Sequence, residues 1–310
     1  MKSKANFYLL TLRRSCLLDE KNILLSGILA LALLLLPRPA LGQQLPIFDA
    51  HIHYSRSHWE IYSPDAVLKI LKRAGVNRAF VSSTPDEGTL RLFRRDSQLV
   101  VPVLRPYRTR EDMGSWLRDP EIPAYLKERI RKRRGIYRGI GEFHVGPGDV
   151  SSEVFRQVAA LAVKENLFLH AHTDEVAIEQ IARLKPGVCV LWAHAGMTSG
   201  PETVGKLLDR HANLWVELSL RWDVSHSGAL IPEWQALLLR HPDRFLVGTD
   251  TWTHTQWDLL PETLDGYRVW LKTLPRDVAE KIANRNAESL AKPGACARPQ
   301  AAAPAGKVQG

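Results

Sequence analysis

The chain is poor in cysteine, which narrows the ways in which it can be stabilised. Three cysteines occur in 310 residues, and Cys16 lies in an N-terminal segment that we expect to be removed. Of the other two, Cys189 falls in a predicted core strand and Cys296 in a low-complexity tail. A disulfide framework is therefore not expected, even in an oxidising compartment, and a packed core must provide the stability.

The chain also lacks an apolar run long enough to cross a membrane, since about 20 apolar residues are needed for that. Its longest run, residues 22–36, follows Lys21 and ends at a proline. Small residues then occur at the spacing of a signal-peptidase site. Residues 1–42 are therefore predicted to be a secretory signal peptide, cleaved after Gly42, that directs the protein across the inner membrane to the periplasm. An uncleaved anchor and a twin-arginine signal built on Arg13 and Arg14 are the alternatives.

No charge of one sign dominates the chain that remains. The formal net charge of +9 falls to +5 without residues 1–42, which carry six basic and two acidic residues. Much of the excess lies in residues 126–138, whose spacing is typical of a solvated helix face. No organised strip of aromatic and basic residues is present for a nucleic-acid strand to follow. We therefore expect no specific nucleic-acid partner and no stable membrane span after signal cleavage.

Short runs rich in Val, Ile and Leu alternate with amphipathic segments from Ile47 onward, as in repeated βα units. The eight candidate strands are residues 47–53, 78–83, 99–107, 137–145, 167–173, 188–196, 214–221 and 244–252. The clearest helices are predicted over residues 63–74, 151–166 and 202–211. This pattern predicts an α/β fold, a (β/α)8 TIM barrel over residues 43–292. An open, doubly wound sheet is the alternative, but no Gly-rich phosphate loop follows any strand. Residues 293–310 are predicted to form a disordered Ala/Pro-rich tail.

Histidines and acids gather at the predicted strand ends. His51 and His53 stand two residues apart in the first strand, and residues i and i+2 of a strand face the same side. Taken alone, this pair is as readily a feature of the core. Later strands end with further candidates, which are Glu142, His144, His170, His172, His194 and Asp250. The catalytic groups of (β/α)8 enzymes come from these carboxyl ends, which favours a functional role for the set.

Such a set predicts a divalent metal. Imidazoles and carboxylates gathered in a semi-buried site without a cation would leave charge unpaired, at a cost of several kcal/mol per ion. A metal with an open coordination position lowers the pKa of bound water from ~15.7 toward ~7. The hydroxide so formed can attack an acyl or phosphoryl centre at neutral pH.

These residues resemble those of the amidohydrolase superfamily of metal-dependent barrel hydrolases. The resemblance rests on the HxH pair, on histidines in strands five and six, on Asp250 in strand eight and on the closing "NAESL". It runs from about Ile47 to Leu290, and it is greatest to the amidohydrolase-related branch, also described as predicted TIM-barrel metal-dependent hydrolases. The motifs in this order are specific for the superfamily but not for a substrate.

The resemblance implies a divalent metal, with Zn²⁺ preferred, bound as one ion or two. The residues that match metal ligands are His51, His53, His172, Asp250, His194 and Glu142. Glu142 matches a glutamate that supports a second metal in TatD-like deoxyribonucleases, although strand four has no lysine where other members carry a carboxylated one. His172 is preferred to His170 because it lies nearer the end of its strand, and the role of His144 stays open.

The implied function is that of a secreted metal-dependent hydrolase, which uses a metal-activated water on an ester, lactone or amide bond. Asp250 would act as general base, and His194 would bind a second metal or polarise the substrate oxygen. A metal-dependent decarboxylase or lyase and a TatD-like phosphodiesterase are the alternatives within the superfamily. A protein that only binds metal is the non-catalytic alternative.

Four residues at or just after strand ends are candidates for substrate binding, namely Trp59, Arg105, Arg221 and Trp252. Either arginine could form two hydrogen bonds with a carboxylate or phosphate. Each of the four could instead be a loop residue that covers the barrel mouth. We expect a small-molecule substrate of anionic, partly aromatic character. A homo-oligomer is compatible with the sequence, which does not define the oligomeric state.

Overall fold

A computed structural model describes residues 44–184 and 187–297. The fold is that of the described residues from Leu45 onward, which belong to one compact unit. The predicted signal peptide and the part of the predicted tail from residue 298 onward lie outside the described residues.

Eight parallel strands form a sheet that curves into a nearly closed barrel, in the order β1 to β7 and then β10. The last strand returns to the first, because the N–H of Ala50 donates to the carbonyl of Val247 and that of His53 to the carbonyl of Thr251, both at 2.9 Å. The strands are β1 Ile47–Ile52, β2 Val76–Val81, β3 Val100–Leu104, β4 Gly139–His144, β5 Phe168–His172, β6 Val190–Trp192, β7 Leu214–Glu217, the hairpin strands β8 Ser225–His226 and β9 Ala229–Leu230, and β10 Phe245–Leu246. The predicted (β/α)8 barrel is confirmed, with each predicted strand present.

Helices cover the outside of the barrel, and several of them begin at a side-chain cap. Ser63 and Ser152 have extended backbones, and their hydroxyls accept the N–H groups of Ala66 and Phe155. Such caps satisfy donors that the first helical turn leaves free. The helices are α1 Pro64–Arg73, α2 Glu87–Arg95, α3 Ile122–Lys132, α4 Glu153–Glu165, α5 Glu175–Arg183, α6 Pro201–Arg210, α7 Pro232–Arg240, α8 His254–Asp258, α9 Leu260–Leu271, α10 Arg276–Glu280 and α11 Asn286–Leu290.

The interior of the barrel is filled by aromatic rings. The ring of Phe80 lies 4.7 Å from that of Phe48 and 5.0 Å from that of Phe168. A Cβ atom at Gly139 would stand 2.4 Å from the Phe168 ring, so only glycine leaves room for it. Large rings from three strands and a small residue on a fourth therefore interlock into a packed core rather than a channel.

Helix α11 covers the amino-terminal end of the barrel. The side-chain amide of Asn286 donates to the carbonyls of Pro242 and Phe245, at the start of β10. Arg78, near the start of β2, forms an ion pair with Glu288. The helix therefore closes the end of the barrel opposite to the predicted metal ligands.

A disulfide joins Cys189, just before β6, to Cys296 in the short helical turn Ala295–Ala297. The expectation that these cysteines stay unpaired is wrong. Their sequence separation of 107 gives no hint of proximity, but α11 leads the chain back across the amino-terminal end. Residues 293–297, the start of the predicted disordered tail, are thereby tied to the barrel.

The described residues contain no helix that is both long enough and apolar enough to cross a membrane.

Candidate metal centre

Four of the predicted ligands bring one donor atom each to a common point at the carboxyl end of the barrel. The Nε2 atoms of His51 and His53 lie 3.0 Å apart. Oε2 of Glu142 lies 3.4 and 3.2 Å from these two nitrogens. Oδ1 of Asp250 lies 3.4 and 3.1 Å from them. All four side chains are buried, so the cluster belongs to the barrel interior and not to a surface loop.

These distances fit a small divalent metal. Tetrahedral bonds of about 2.0–2.1 Å from nitrogen and oxygen to zinc place neighbouring donors about 3.3 Å apart. Two further buried nitrogens, Nε2 of His170 and Nε2 of His194, have no hydrogen-bond partner within the described structure. Buried polar atoms rarely stay unpartnered, so they too indicate a group that the protein side chains do not supply.

Glu142, at the end of β4, is the most connected of the acids. Its Oε2 accepts from Nη2 of Arg105 at 3.1 Å, and its Oε1 lies 2.8 Å from Nδ1 of His172. Burial would raise the pKa of Glu142, but the charge on His51 and the hydrogen bond from His172 hold it well below its usual range. The geometry allows Glu142 to be both a metal ligand and the partner of Arg105.

Glu217, at the end of β7, was missed by the sequence analysis. Its buried carboxylate lies 2.9 Å from Nδ1 of His51 and accepts the N–H groups of His194 and Ser219 at 2.8 and 2.7 Å. Burial alone would raise its pKa, but the His51 charge and hydrogen bond outweigh this and lower it. Its only sequence signal is an acid that ends an apolar strand at the same level as the other ligands.

The contact with Glu217 orients the imidazole of His51. When Nδ1 donates to the carboxylate, the lone pair of Nε2 faces the donor cluster, as metal binding requires. A Cβ atom at Gly248 would stand 2.4 Å from Oε2 of Glu217, so glycine on the neighbouring strand makes room for this acid. Without a metal, burial opposes charge on His51, but three surrounding carboxylates outweigh it and raise its pKa.

Asp49 supports the first strand from below. It accepts the N–H of His51 at 3.1 Å and the hydroxyl and N–H of Thr249 at 2.7 and 3.0 Å. Complete burial raises its pKa to about 7, although these hydrogen bonds partly offset the shift. Asp49 therefore ties β1 to the segment that carries Asp250.

The other histidines lie around the four-donor cluster. His170 faces Glu217 and the His51 ring, and burial lowers its pKa well below the ordinary value. His172, the preferred ligand from sequence, groups with Glu142 and His144 instead. His194 lies between the groups, with its Nε2 3.7 Å from Glu142 and 3.9 Å from Asp250. The choice between His170 and His172 as a ligand stays a prediction.

His144 is held by Tyr107. The buried hydroxyl of Tyr107 accepts a hydrogen bond from the backbone N–H of His144 at 2.8 Å. The same hydroxyl lies 3.2 Å from the ring nitrogen Nδ1 of His144. The hydroxyl proton is thus available to Nδ1, and burial lowers the pKa of His144 to about 4. A neutral imidazole therefore stacks beside His172, with ring centroids 4.3 Å apart.

Arg221, a predicted substrate-binding residue, is engaged in hydrogen bonds within the protein. Its guanidinium donates to both carboxylate oxygens of Asp223 and to the carbonyls of His194, Ala195 and Ser199. These contacts use all five N–H groups that an arginine has. Arg221 therefore braces the β6 and β7 loops and has no donor left for a substrate.

Arg105 is likewise engaged within the protein. It is 5% exposed, and its Nε and Nη2 donate to the backbone and side chain of Glu142. Its guanidinium also lies over the Tyr107 ring, 4.7 Å from the centroid. Arg105 therefore holds Glu142 in place, and its predicted contact with substrate stays a prediction.

The two predicted tryptophans differ in accessibility. Trp59 is half-buried and donates to the carbonyl of Tyr54, while the guanidinium of Arg91 lies 3.8 Å from its ring centroid. Trp252 is 51% exposed in the loop after β10. Trp252 remains available for a ligand, whereas one face of Trp59 is already covered.

A cavity of 430 Å³ opens beside the cluster. Its inner wall includes His144 and His172, and its outer wall comes from the segments after β3, β4, β5 and β6. His172 connects it to the four donors through Glu142. The four donors do not line the cavity themselves, so a small molecule in it contacts His172, which lies against Glu142.

Comparison with known proteins agrees with this geometry. The family model described as "Amidohydrolase" matches residues 103–290. A protein from Acinetobacter baumannii described as a probable 2-pyrone-4,6-dicarboxylic acid hydrolase, with citric acid bound, is 12% identical with a TM-score of 0.55, over 79% of this chain and 98% of that one. A candidate hydrolase of the same description from Pseudomonas putida is 18% identical with a TM-score of 0.55, over 80% and 97%.

A TatD family hydrolase from Entamoeba histolytica is 12% identical with a TM-score of 0.54, over 79% of this chain and 98% of that one. At these identities the structural likeness shows the fold alone. No curated protein sequence matches the chain.

A parallel barrel with imidazoles and carboxylates converging at its carboxyl end defines a metal-dependent hydrolase of the TIM-barrel class. The matched family model covers more than half of the sequence and ends at the last residue of α11. The chain belongs to the amidohydrolase family, and it is an enzyme.

Proposed function

We propose that the protein is a secreted hydrolase that adds water across an ester, lactone or amide bond, with Asp250 as general base. The observation that carries this proposal is the placement of the Asp250 carboxylate. Its Oδ1 belongs to the four-donor cluster, while its Oδ2 is directed to the side of His194. An acid in this position can hold a proton without leaving the cluster.

His51, His53, Glu142 and Asp250 are the residues that we propose to hold the metal, with zinc preferred because its ligands are two imidazoles and two carboxylates. When bound, a divalent ion would supply the Lewis acidity that polarises a substrate oxygen and acidifies water. A second ion beside His194, with Glu142 shared, is the two-metal form of the same proposal.

The surrounding residues prepare the cluster for this chemistry. Glu217 and the Ser82 carbonyl, 2.6 Å from Nδ1 of His53, orient the two imidazoles of β1. Asp250 accepts the proton at a carboxylate oxygen and returns it to the leaving group. His194, whose Nε2 has no partner in the described structure, is placed to contact the substrate oxygen.

The test is the substitution Asp250→Asn, which keeps the shape of the side chain but removes the base. We expect kcat to fall at least ~1,000-fold on an aryl ester or lactone while the protein retains most of its metal, measured by elemental analysis. Asp243→Asn, at the opposite end of β10, is the matched control and should retain full activity. Turnover that persists in the Asp250 variant would disprove the assigned base, and release of carbon dioxide without water addition would favour the lyase alternative.

Secretion is part of the proposal and has its own support. The apolar run of residues 22–36 precedes small residues suited to cleavage after Gly42. The Cys189–Cys296 disulfide adds to this, because such bonds persist in oxidising compartments such as the periplasm. N-terminal sequencing of the protein from a periplasmic fraction should begin at Gln43, and a full-length cytoplasmic product would contradict it.

A further inference from the structure

The residues that line the cavity beside the cluster indicate the charge and polarity of the substrate, which the metal ligands do not define. Its 430 Å³ falls within the range of about 300–1,000 Å³ typical of small-molecule sites. Its inner wall, at His144 and His172, adjoins Glu142. A molecule in the cavity therefore places one end against His144 and His172, beside the proposed reaction site, and the rest against the outer wall.

The charges on the outer wall do not favour an anion. The lining contains one guanidinium, Arg118, and two carboxylates, Asp149 and Asp174. Asp174 is fixed in place because it accepts the N–H of Ala177 as the cap of α5. Arg118 donates one N–H to the Gly114 carbonyl at 2.6 Å. A substrate carboxylate would thus meet more negative than positive charge.

The arginines that could reverse this balance are occupied. Arg105 is paired with Glu142, and Arg221 uses all of its donors on Asp223 and backbone carbonyls. Both are buried, so neither can turn into the cavity without leaving an acid unpaired. The sequence-based expectation of an anionic substrate rested on these two residues.

The apolar part of the lining offers a contact surface instead. Met113 and Met197 flank the cavity and are 40% and 44% exposed. Leu117 and Val145 also line it, and the buried Trp116 forms part of its wall. Flexible, exposed methionines at the mouth of a cavity are suited to apolar groups of varied shape.

We propose that the substrate is an uncharged ester, lactone or amide with an apolar group that packs against Met113, Leu117 and Met197, while Asp149 and Asp174 disfavour anionic analogues. This inference rests on the proposed hydrolase function. The inference adds the charge of the substrate's non-reacting part, which the proposed hydrolase function leaves open.

The test uses the zinc-loaded full chain as the enzyme and compares its activity on two esters of the same shape. In 4-nitrophenyl 4-methylpentanoate, two methyl groups replace the carboxylate oxygens of 4-nitrophenyl hemisuccinate. We expect kcat/KM for the neutral ester to exceed that for the carboxylated one by at least tenfold. Equal rates, or a preference for the carboxylated ester, would overturn the proposal.

Charge-removing variants show whether the two acids cause the preference. The double variant Asp149→Asn and Asp174→Asn retains an Asn cap on α5 and should reduce the ratio at least threefold, mainly through faster turnover of the carboxylated ester. Glu165→Gln, which removes one exposed charge at the end of α4, is the control and should leave the ratio unchanged. An unchanged ratio in the double variant would refute the role of these acids.

A binding measurement separates this inference from the proposed reaction. The ketone analogues of the same two esters, in which a methylene group replaces the ester oxygen, have no bond that water can cleave, and quenching of protein fluorescence reports their binding next to Trp116. If neither ester is hydrolysed, the proposed function fails, but tighter binding of the neutral ketone still supports the substrate class. Equal or tighter binding of the carboxylated ketone contradicts it whether or not the esters react.

Discussion

At the amino-terminal end of the barrel the strands contribute Phe48, Phe80 and Phe168, whose rings pack together and exclude water. At the carboxyl-terminal end, β1 contributes His51 and His53, whose nitrogens face buried carboxylates. The two ends are thus equally buried but differ in what burial does. Apolar atoms gain stability from it, whereas imidazoles and carboxylates lose hydration and must find partners.

This difference between the two ends shows that stability comes mainly from the amino-terminal end of the barrel and function from the carboxyl-terminal end. The amino-terminal end is closed by α11 and cross-linked through Cys296. The carboxyl-terminal end keeps unpartnered nitrogens on His170 and His194. Changes at the first end should therefore affect unfolding and spare the metal, and changes at the second should mainly affect metal binding.

The largest expected effect is on the aromatic interior. Phe168→Ala removes a fully buried ring between Phe80 and Gly139, and should lower the free energy of unfolding by ~3–5 kcal/mol. Urea unfolding measures this loss, while zinc content at low temperature should stay unchanged. Leu239→Ala, at an exposed position on α7, is the control and should change stability by less than ~0.5 kcal/mol. A loss below about 1 kcal/mol would mean that the interior is not closely packed.

The second effect concerns the cross-link at the same end. Cys296→Ser should lower stability by about 2–4 kcal/mol, because the bond closes a long loop in the unfolded chain. Urea unfolding with and without reductant checks this, since reduction should destabilise the natural protein by a similar amount and leave the variant unaffected. If the natural protein is insensitive to reductant, the cross-link does not contribute.

The third effect moves to the metal end. Glu217→Gln keeps the size of the side chain but weakens its hold on Nδ1 of His51, so zinc affinity should fall about 10–100-fold. Competition with a fluorescent chelator measures the affinity. Glu288→Gln removes an acid at the opposite end and is the matched control, with unchanged affinity expected. Identical affinities for both variants would exclude a positioning role for Glu217.

The smallest effect is a pH dependence of the metal-free protein. Carboxylates raise the folded pKa of His51, so its proton stabilises the fold fully below the unfolded pKa of about 6.5 and is lost as pH rises through the folded value. Urea unfolding in chelator should show stability falling by ~1 kcal/mol or more above neutral pH. His51→Gln should flatten this dependence. A stability that rises over the same interval would contradict the assigned proton.

Metal binding adds a related observation, because zinc must displace the proton from His51. Zinc affinity should therefore increase with pH over the interval in which the metal-free protein loses stability. An affinity independent of pH would place the proton elsewhere in the cluster.

Much of the site could be predicted because it follows from the spacing of residues within single strands and from the order of the strands. Alternation in a strand places His51 and His53 on one side, and the order of strands places Glu142 and Asp250 at the same end. Spacing within a strand does not reveal which side chain across the barrel each imidazole meets. The preference for His172 over His170 rested on depth along one strand, and the structure places both near the cluster through different carboxylates.

The arginines show why substrate contacts were harder to predict. Arg105 and Arg221 stand at strand ends, as substrate-binding residues do, but each has an acid within reach, in Glu142 and Asp223. A buried guanidinium is stable only when paired, so both are engaged by the protein itself. Only the folded chain shows that these donors are already used.

By itself the sequence determined the barrel, its eight strands and the end at which the metal ligands lie. These features follow from residue alternation within each strand and from the succession of strands along the chain, and they do not depend on how the side chains pack. The tertiary structure alone decided that Glu217 orients His51, that Cys189 bonds to Cys296 and that the cavity presents more acid than base. Those contacts join residues far apart in the chain. Their distances depend on how the strands are staggered around the closed sheet, which no short-range pattern encodes.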